Sequence, residues 1–141
     1  MAVMLGISAE EVQAKISAYE KEGIIRGYKP LLDYDKIDTQ LVEAIIEVRV
    51  SPQRDFGFEE IARTISEYNE VSSVYLMSGG YDLLVLVEGR NLKELALFVS
   101  SKLSALEQVT GTQTCFVLKR YKEDGIVFEG EKTDNRLVIV P

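Results

Sequence analysis

Apolar and polar residues alternate from Val42 to Val50. Val42, Ala44, Ile46, Val48 and Val50 fall on one face, and Glu43, Glu47 and Arg49 on the other. A period of two predicts a strand with one buried face. Ile45 interrupts the polar side, so that side is expected to be only partly wet. Phe58, Ile61, Ala62 and Ile65 then recur at helical spacing, with Tyr68 one turn further, and predict a helix ending near Tyr68 and Asn69. The stretch Val71 to Glu88, VSSVYLMSGGYDLLVLVE, organises the rest. Two strand-like runs flank Ser78-Gly79-Gly80, and the glycine pair is expected to supply the positive φ of a tight hairpin. The second run, Leu83 to Val87, is apolar on both faces, as in a central strand covered on both sides.

Asn91 is placed to cap a second helix with the stripe Leu92, Leu95, Ala96, Val99, Leu103 and Leu106. Val109 to Leu118 reads as a last strand. The order β-α-β-β-α-β predicts an α+β fold, a ferredoxin-like sandwich within residues 39–141. Its two helices cover one sheet face. A second copy of the chain is expected to cover the other.

Residues 1–38 read differently. After the apolar stub Met1 to Leu5, Ser8-Ala9-Glu10-Glu11 forms a capping box. Val12, Ile16 and Tyr19 make one helical stripe, and Gly23 is placed to end the helix in a left-handed cap. A turn at Arg26 to Pro30 leads into an extended run and the polar link Asp33 to Asp38. Capped helix, turn and short ribbon are the back half of a winged helix-turn-helix. At the other end, Ile126 to Phe128 and Leu137 to Val140 flank Glu131 to Asn135 and predict a terminal hairpin, while Lys119 to Asp124 reads only as charged.

Composition narrows the function. The 141 residues carry a net charge of −7, which argues against a general nucleic-acid binder. No apolar run approaches the roughly 20 residues of a membrane span, so no membrane partner is expected. The N-terminus lacks the pattern of a signal peptide. The single cysteine, Cys115, sits in an apolar run and is expected to be a buried, inert thiol, in keeping with a reducing cytoplasm. There is no histidine, which removes the commonest general base and metal ligand. The acid pairs Glu59-Glu60 and Glu129/Glu131 lack a third ligand at a fitting spacing and are expected to be solvated. No catalytic residue, metal or cofactor is expected.

The loop Ser78, Gly79, Gly80, Tyr81 and Asp82 is the first ligand candidate. Glycines expose backbone amides that can hold a carboxylate, with Asp82 for an ammonium or the Tyr81 hydroxyl to orient the ligand. The same residues also read as an ordinary hairpin turn with Asp82 in solvent. Thr112 and Thr114 are the second candidate, against a reading as plain strand threonines. For DNA, Gln13, Lys15 and Ser17 on the capped helix are placed to meet base edges, and Arg26 and Lys29 on the wing to hold phosphates. Against this, Glu10 and Glu11 repel phosphates, and five basic residues against seven acidic ones leave residues 1–38 at −2. A helix used for dimer contacts is the competing reading.

Leu5-Gly6-Ile7-Ser8, Tyr19 to Tyr28 and Asp33 to Lys36 resemble the recognition helix and wing of the Lrp/AsnC transcription regulators. Val42 through Tyr75-Leu76-Met77-Ser78-Gly79-Gly80-Tyr81-Asp82, and on to Gly111-Thr112-Gln113-Thr114, is similar to that family's RAM/ACT-like effector domain. The resemblance implies a cytoplasmic, amino-acid-responsive regulator of transcription. It implies a homodimer through the sheets, further assembled into a tetramer or octamer, and a small amino acid held between dimers. In similar proteins the start of the strand carrying Thr112 contributes to the effector pocket. Against the family pattern, the first helix and most of the second are expected to be missing before Met1. That leaves open a stand-alone sensing or oligomerisation subunit without DNA binding. An enzyme is not expected: siroheme decarboxylases share the architecture, but they use histidine, which this chain lacks.

Overall fold

In the computed structural model the described residues are 6, 8–37, 40–51 and 57–128. The expected loop around Pro52, Glu129 and Glu131, and the hairpin arm Leu137 to Val140 lie outside them. The chain divides into two compact units, Met1–Leu32 and Asp33–Pro141.

The first unit holds helix α1, Ala9–Lys21. The Ser8 hydroxyl accepts from the Glu11 amide at 3.1 Å and also donates to the Glu11 carboxylate at 3.2 Å, so the capping box closes on the serine side chain. Gly23, at φ +79°, ends the helix, and Ile24 turns back with its amide on the Tyr19 carbonyl at 2.8 Å. Val12 and Ile16 are half-buried, Tyr19 is exposed, and no helix residue is fully buried. The Tyr28 hydroxyl donates to Glu20 at 3.0 Å. That bond, followed in effect by desolvation and the Glu20 charge, lifts the Tyr28 pKa above its usual 10.0. The wing contact therefore persists at neutral pH and is lost only as pH rises through that raised value.

The second unit is the sandwich. It runs through a 3-10 turn at Tyr34–Lys36, β1 at Val42–Val50, α2 at Glu59–Ser66, β2 at Val71–Leu76 and β3 at Leu83–Gly89. It continues with α3 at Leu92–Phe98, a π-helical turn at Val99–Leu103, β4 at Val109–Phe116, and short strands β5, Lys122–Glu123, and β6, Ile126–Val127. The sheet order is β2-β3-β1-β4 with every neighbour antiparallel, the ferredoxin-like arrangement. The strand apolar on both faces, β3, is central as expected.

Alternation decides what is buried. Ala44, Ile46, Val48 and Val50 of β1 and Leu83, Val85 and Val87 of β3 pack with Ile61 and Ile65 of α2 and with Leu95, Phe98 and Leu103. The intervening residues face away from the helices. Across that outer face Leu86 pairs with Ile45 and Ile45 with Cys115, while Leu84 pairs with Glu47 and with Tyr75. Ile45, Leu84 and Leu86 are only half-buried, and Tyr75 is exposed.

Four expectations need correction. Cys115 is exposed, not buried. Its strand is an edge strand, and the inward positions are Thr112, Thr114 and Phe116, opposite Val48, Ile46 and Ala44. The second helical stripe is wrong in its middle: Ala96 is exposed and Phe98 is buried. The wider π turn lengthens the step to five residues, so Phe98 and Leu103 share a face that a regular 3.6-residue period would separate. The last strand ends at Phe116, not Leu118. Finally, Ile126–Val127 pairs back onto Lys122–Glu123 across Asp124-Gly125. Both turn residues have positive φ, +48° and +85°, as a two-residue hairpin of this hand needs.

The π turn generates a stability test. Phe98 is 3% exposed and its neighbour Leu97 55%. In urea denaturation, Phe98→Ala is expected to cost about 3–5 kcal/mol. Leu97→Ala should change stability by only about 0.5 kcal/mol, as at other surface sites. Similar losses at both positions would rule out this helix register.

Candidate functional site

The connection between β2 and β3, Met77 to Asp82, is longer than a tight hairpin and is held open by contacts outside itself. The Met77 amide donates to the Asp82 carbonyl at 2.8 Å and closes the base. The Asp82 amide donates to the Val48 carbonyl at 3.0 Å, and Asp82 Oδ2 accepts from the Val50 amide at 2.9 Å. Arg49 Nε donates to the Gly80 carbonyl at 3.1 Å. The loop is thus stitched to the last three residues of β1. Only Gly79 of the glycine pair has positive φ, +151°.

This changes the two readings of the loop. Asp82 is not a solvated turn residue: it is half-buried, and one carboxylate oxygen caps a strand amide. Its task is fastening. What the loop leaves available for a ligand is its backbone. Among the described residues the amides of Ser78, Gly79, Gly80 and Tyr81 take no hydrogen-bond partner. Successive amides left free are the kind of donor set that can hold an anion.

The start of β4 lies at the same end of the sheet, because Thr112 pairs with Val48 and Gly111 with Arg49. A register shift between Arg49 and Val50 leaves Thr110 as the extra residue, its hydroxyl donating to the Arg49 carbonyl at 3.2 Å. Such bulges re-aim strand ends. Thr112 lies on the helix side, its hydroxyl 3.5 Å from that of Ser104. Thr114 is opposite Ile46, two positions further from the loop. The fold therefore gathers Ser78 to Asp82 and Thr112 at one end of the sheet and sets Thr114 deeper. Arg49, which sequence reasoning assigned only to the polar face, joins them. No local signal marked it, since Gly80 lies 31 residues further along the chain.

On α1, Gln13, Lys15 and Ser17 are all exposed. Gln13 and Ser17 are one turn apart, with Gln13 Nε2 3.5 Å from Ser17 Oγ. Lys15, two residues from each, falls on the opposite flank of the stripe. Arg26 and Lys29 are exposed on the wing.

A separate cavity of about 80 Å³ is lined by residues including Asp33, Glu43, Lys119 and Arg120. Arg120 packs between the rings of Tyr34 and Phe128, at 5.1 and 4.9 Å, and pairs with Glu43 at 3.6 Å. It ties the 3-10 turn to the sheet, a role with no local signal in the sequence. Glu59 and Glu60 are exposed in the first turn of α2, and among the described residues no acidic, cysteine or histidine cluster is arranged to hold a metal.

Comparison with known proteins bears on this geometry. Residues 43–127 match the family model described as the Lrp/AsnC ligand binding domain. An uncharacterized HTH-type transcriptional regulator of Bacillus subtilis is 46% identical, covering 100% of this chain and 86% of the relative. The HTH-type transcriptional regulator LrpA of Pyrococcus abyssi is 30% identical over 86% of this chain and 84% of its own length. A transcriptional regulator of Neisseria meningitidis, solved as a complex with L-Met, superposes with a TM-score of 0.69 at 24% identity, covering 86% of this chain and 78% of that one. AsnC of E. coli gives 0.68 at 19% identity, over 89% and 82%. The relatives named here are transcriptional regulators and not enzymes. Since the family model spans more than half of the sequence and the Bacillus relative aligns along all of it, the chain belongs to the Lrp/AsnC family of transcriptional regulators.

Proposed function

We propose that this regulator responds to a small amino acid bound at the loop Ser78 to Asp82. The observation that carries the reading is the row of four free amides on a loop fastened to β1. The amides accept the α-carboxylate, Tyr81 orients the ligand, and Thr112 borders the recess, with Thr114 behind it. The L-Met complex of the Neisseria regulator supports an amino acid as the ligand class. Residues 1–38 form the DNA-binding part and 39–141 the effector and assembly part. Of the three helix residues, Gln13 and Ser17 share the face that meets bases, while Lys15 on the other flank joins Arg26 and Lys29 in holding phosphates. The protein acts in the cytoplasm, and among its described residues no helix is long and apolar enough to cross a membrane.

The row of half-buried Leu86 and Ile45 with exposed Cys115 supports a homodimer through the outer sheet face. A twofold interface places the same patch on both copies. Dimers then assemble into a tetramer or octamer, and the effector sits between them. A sensor without DNA binding is the second reading. The exposed Glu10 and Glu11 at the start of α1 favour it.

Three outcomes are expected. A panel of the twenty L-amino acids should contain one that raises the melting temperature. At a hundredfold excess over its Kd the gain is about 2.7 kcal/mol, roughly 5–10 °C for a chain of this size. No shift from any of them at millimolar concentration removes the sensing role. In sedimentation at micromolar concentration, Ile45→Glu should convert the assembly to a smaller species with its fold intact by circular dichroism; an unchanged sedimentation coefficient rules out this interface. A gel shift on upstream DNA should weaken steeply with added salt, as phosphate contacts require. Absence of any shift at low salt favours the sensor-only reading.

A further inference from the structure

Arg49 has properties that neither the core nor the sheet requires. It is the exposed position in a strand whose other residues are buried or half-buried. Its guanidinium spends one N–H on the Gly80 carbonyl, and among the described residues the remaining donors have no partner. The contact is local and directional. A planar fork anchored through Nε presents its other nitrogens in a fixed orientation.

Among the described residues, glycines stand beside Arg49 on two sides. Gly111 lies directly across the ladder from Arg49. A Cβ built at Gly111, Gly79 or Gly80 would meet nothing within 4 Å. Three glycines thus leave open space around a cation, beside four unpaired amides. The protein as a whole carries −7, so an anion approaching this loop needs a local positive charge. Neutral amides supply hydrogen bonds without net charge. Arg49 is a cation already bonded to the loop.

We infer that Arg49 is the specificity-determining residue for a carboxylate-bearing effector, completing with its free N–H donors the anion site begun by the amides of Ser78 to Tyr81. This rests on the reading of the loop as the effector site. Charge-assisted hydrogen bonds from guanidinium to carboxylate are roughly twice as strong as neutral ones. Their loss selects against ligands that keep the carboxylate and is indifferent to ligands that lack it. The side-chain end of the effector is left to other groups.

The test uses the full 141-residue chain, the amino acid from the panel that binds best, and that amino acid's C-terminal amide, which keeps the ammonium and side chain but is neutral at the carboxyl carbon. Affinities are measured by calorimetry for the wild type, Arg49→Gln and Arg49→Lys. Wild type should prefer the acid to the amide by at least about tenfold, as expected for hydrogen bonds to a charged group. Arg49→Gln should weaken the acid about 10- to 100-fold and the amide less than about threefold, with Arg49→Lys between for the acid. A merely structural role would weaken acid and amide together, and that result overturns the inference. So does an unchanged affinity of Arg49→Gln for the acid. If the wild type binds none of the amino acids, the loop reading fails first and takes the role of Arg49 with it. Binding by wild type with the acid-over-amide preference unchanged in Arg49→Gln leaves the loop site standing and removes only Arg49.

Discussion

A sheet whose central strand β3 is apolar on both faces, with Ile45 of β1 beside it on the outer one, has to be covered twice. In this chain the first cover is internal. Alternate residues of β1 and β3 bury against α2 and α3, and the core positions Ile46, Val48, Leu83 and Val85 are fully enclosed. The second cover is not supplied by the two helices, which sit on one side. Ile45, Leu84 and Leu86 therefore remain half-buried on the outer face of the two central strands. Burying a residue of this size adds roughly 1.5–3 kcal/mol. A symmetric partner can claim that term from both copies at once, and the charged residues Glu43, Glu47 and Arg49 set its edges.

The same strand that separates the two faces also holds the loop. Val48, Arg49 and Val50 each contribute one hydrogen bond to the Met77–Asp82 connection, from carbonyl, guanidinium and amide respectively. This explains how a loop containing two adjacent glycines can keep four amides without a partner among the described residues. Glycine alone would give a flexible turn. Fastened at Gly80 and Asp82, it becomes a shaped one. Asp82 holds the shape through the Val50 amide, and the proposed anion site is left to backbone amides and Arg49.

Most of the sandwich was legible because its elements obey one period each. The β1 alternation, the α2 stripe and the Asn91 cap all appear where the pattern puts them, the cap with a 2.7 Å bond to the Glu94 amide. Misreadings arose where a period changes or where a strand has two faces to choose from. The π turn shifted Phe98 into the core at the expense of Ala96. Cys115 looked buried because its neighbours are apolar, yet the β1 register sets it opposite Ile45 on the outer face. The Asp124-Gly125 hairpin carried a strong local turn signal that the charge of its flanks obscured. The loop's glycines pointed to an anion site, but Arg49, 31 residues from Gly80 in sequence, is brought there only by the pairing of β1 with β3.

Strand β1 also reaches the other end of the unit. Glu43, near its start, pairs with Arg120, whose guanidinium lies between the rings of Tyr34 and Phe128. Arg49 and Glu43 are six residues apart, about 20 Å along a strand. A central strand hydrogen-bonded on both sides and packed into a dense core has no second arrangement available nearby, and packed cores are bistable rather than bendable. Effector binding at one end therefore gains little leverage by deforming β1. An effector at the loop acts more readily on what meets the loop from outside, because those contacts can be made or broken without disturbing the core. On this physical ground, the sensing proposed above would work through how copies of the chain assemble, with the sheet serving as the rigid mount for both the loop and the Tyr34 turn.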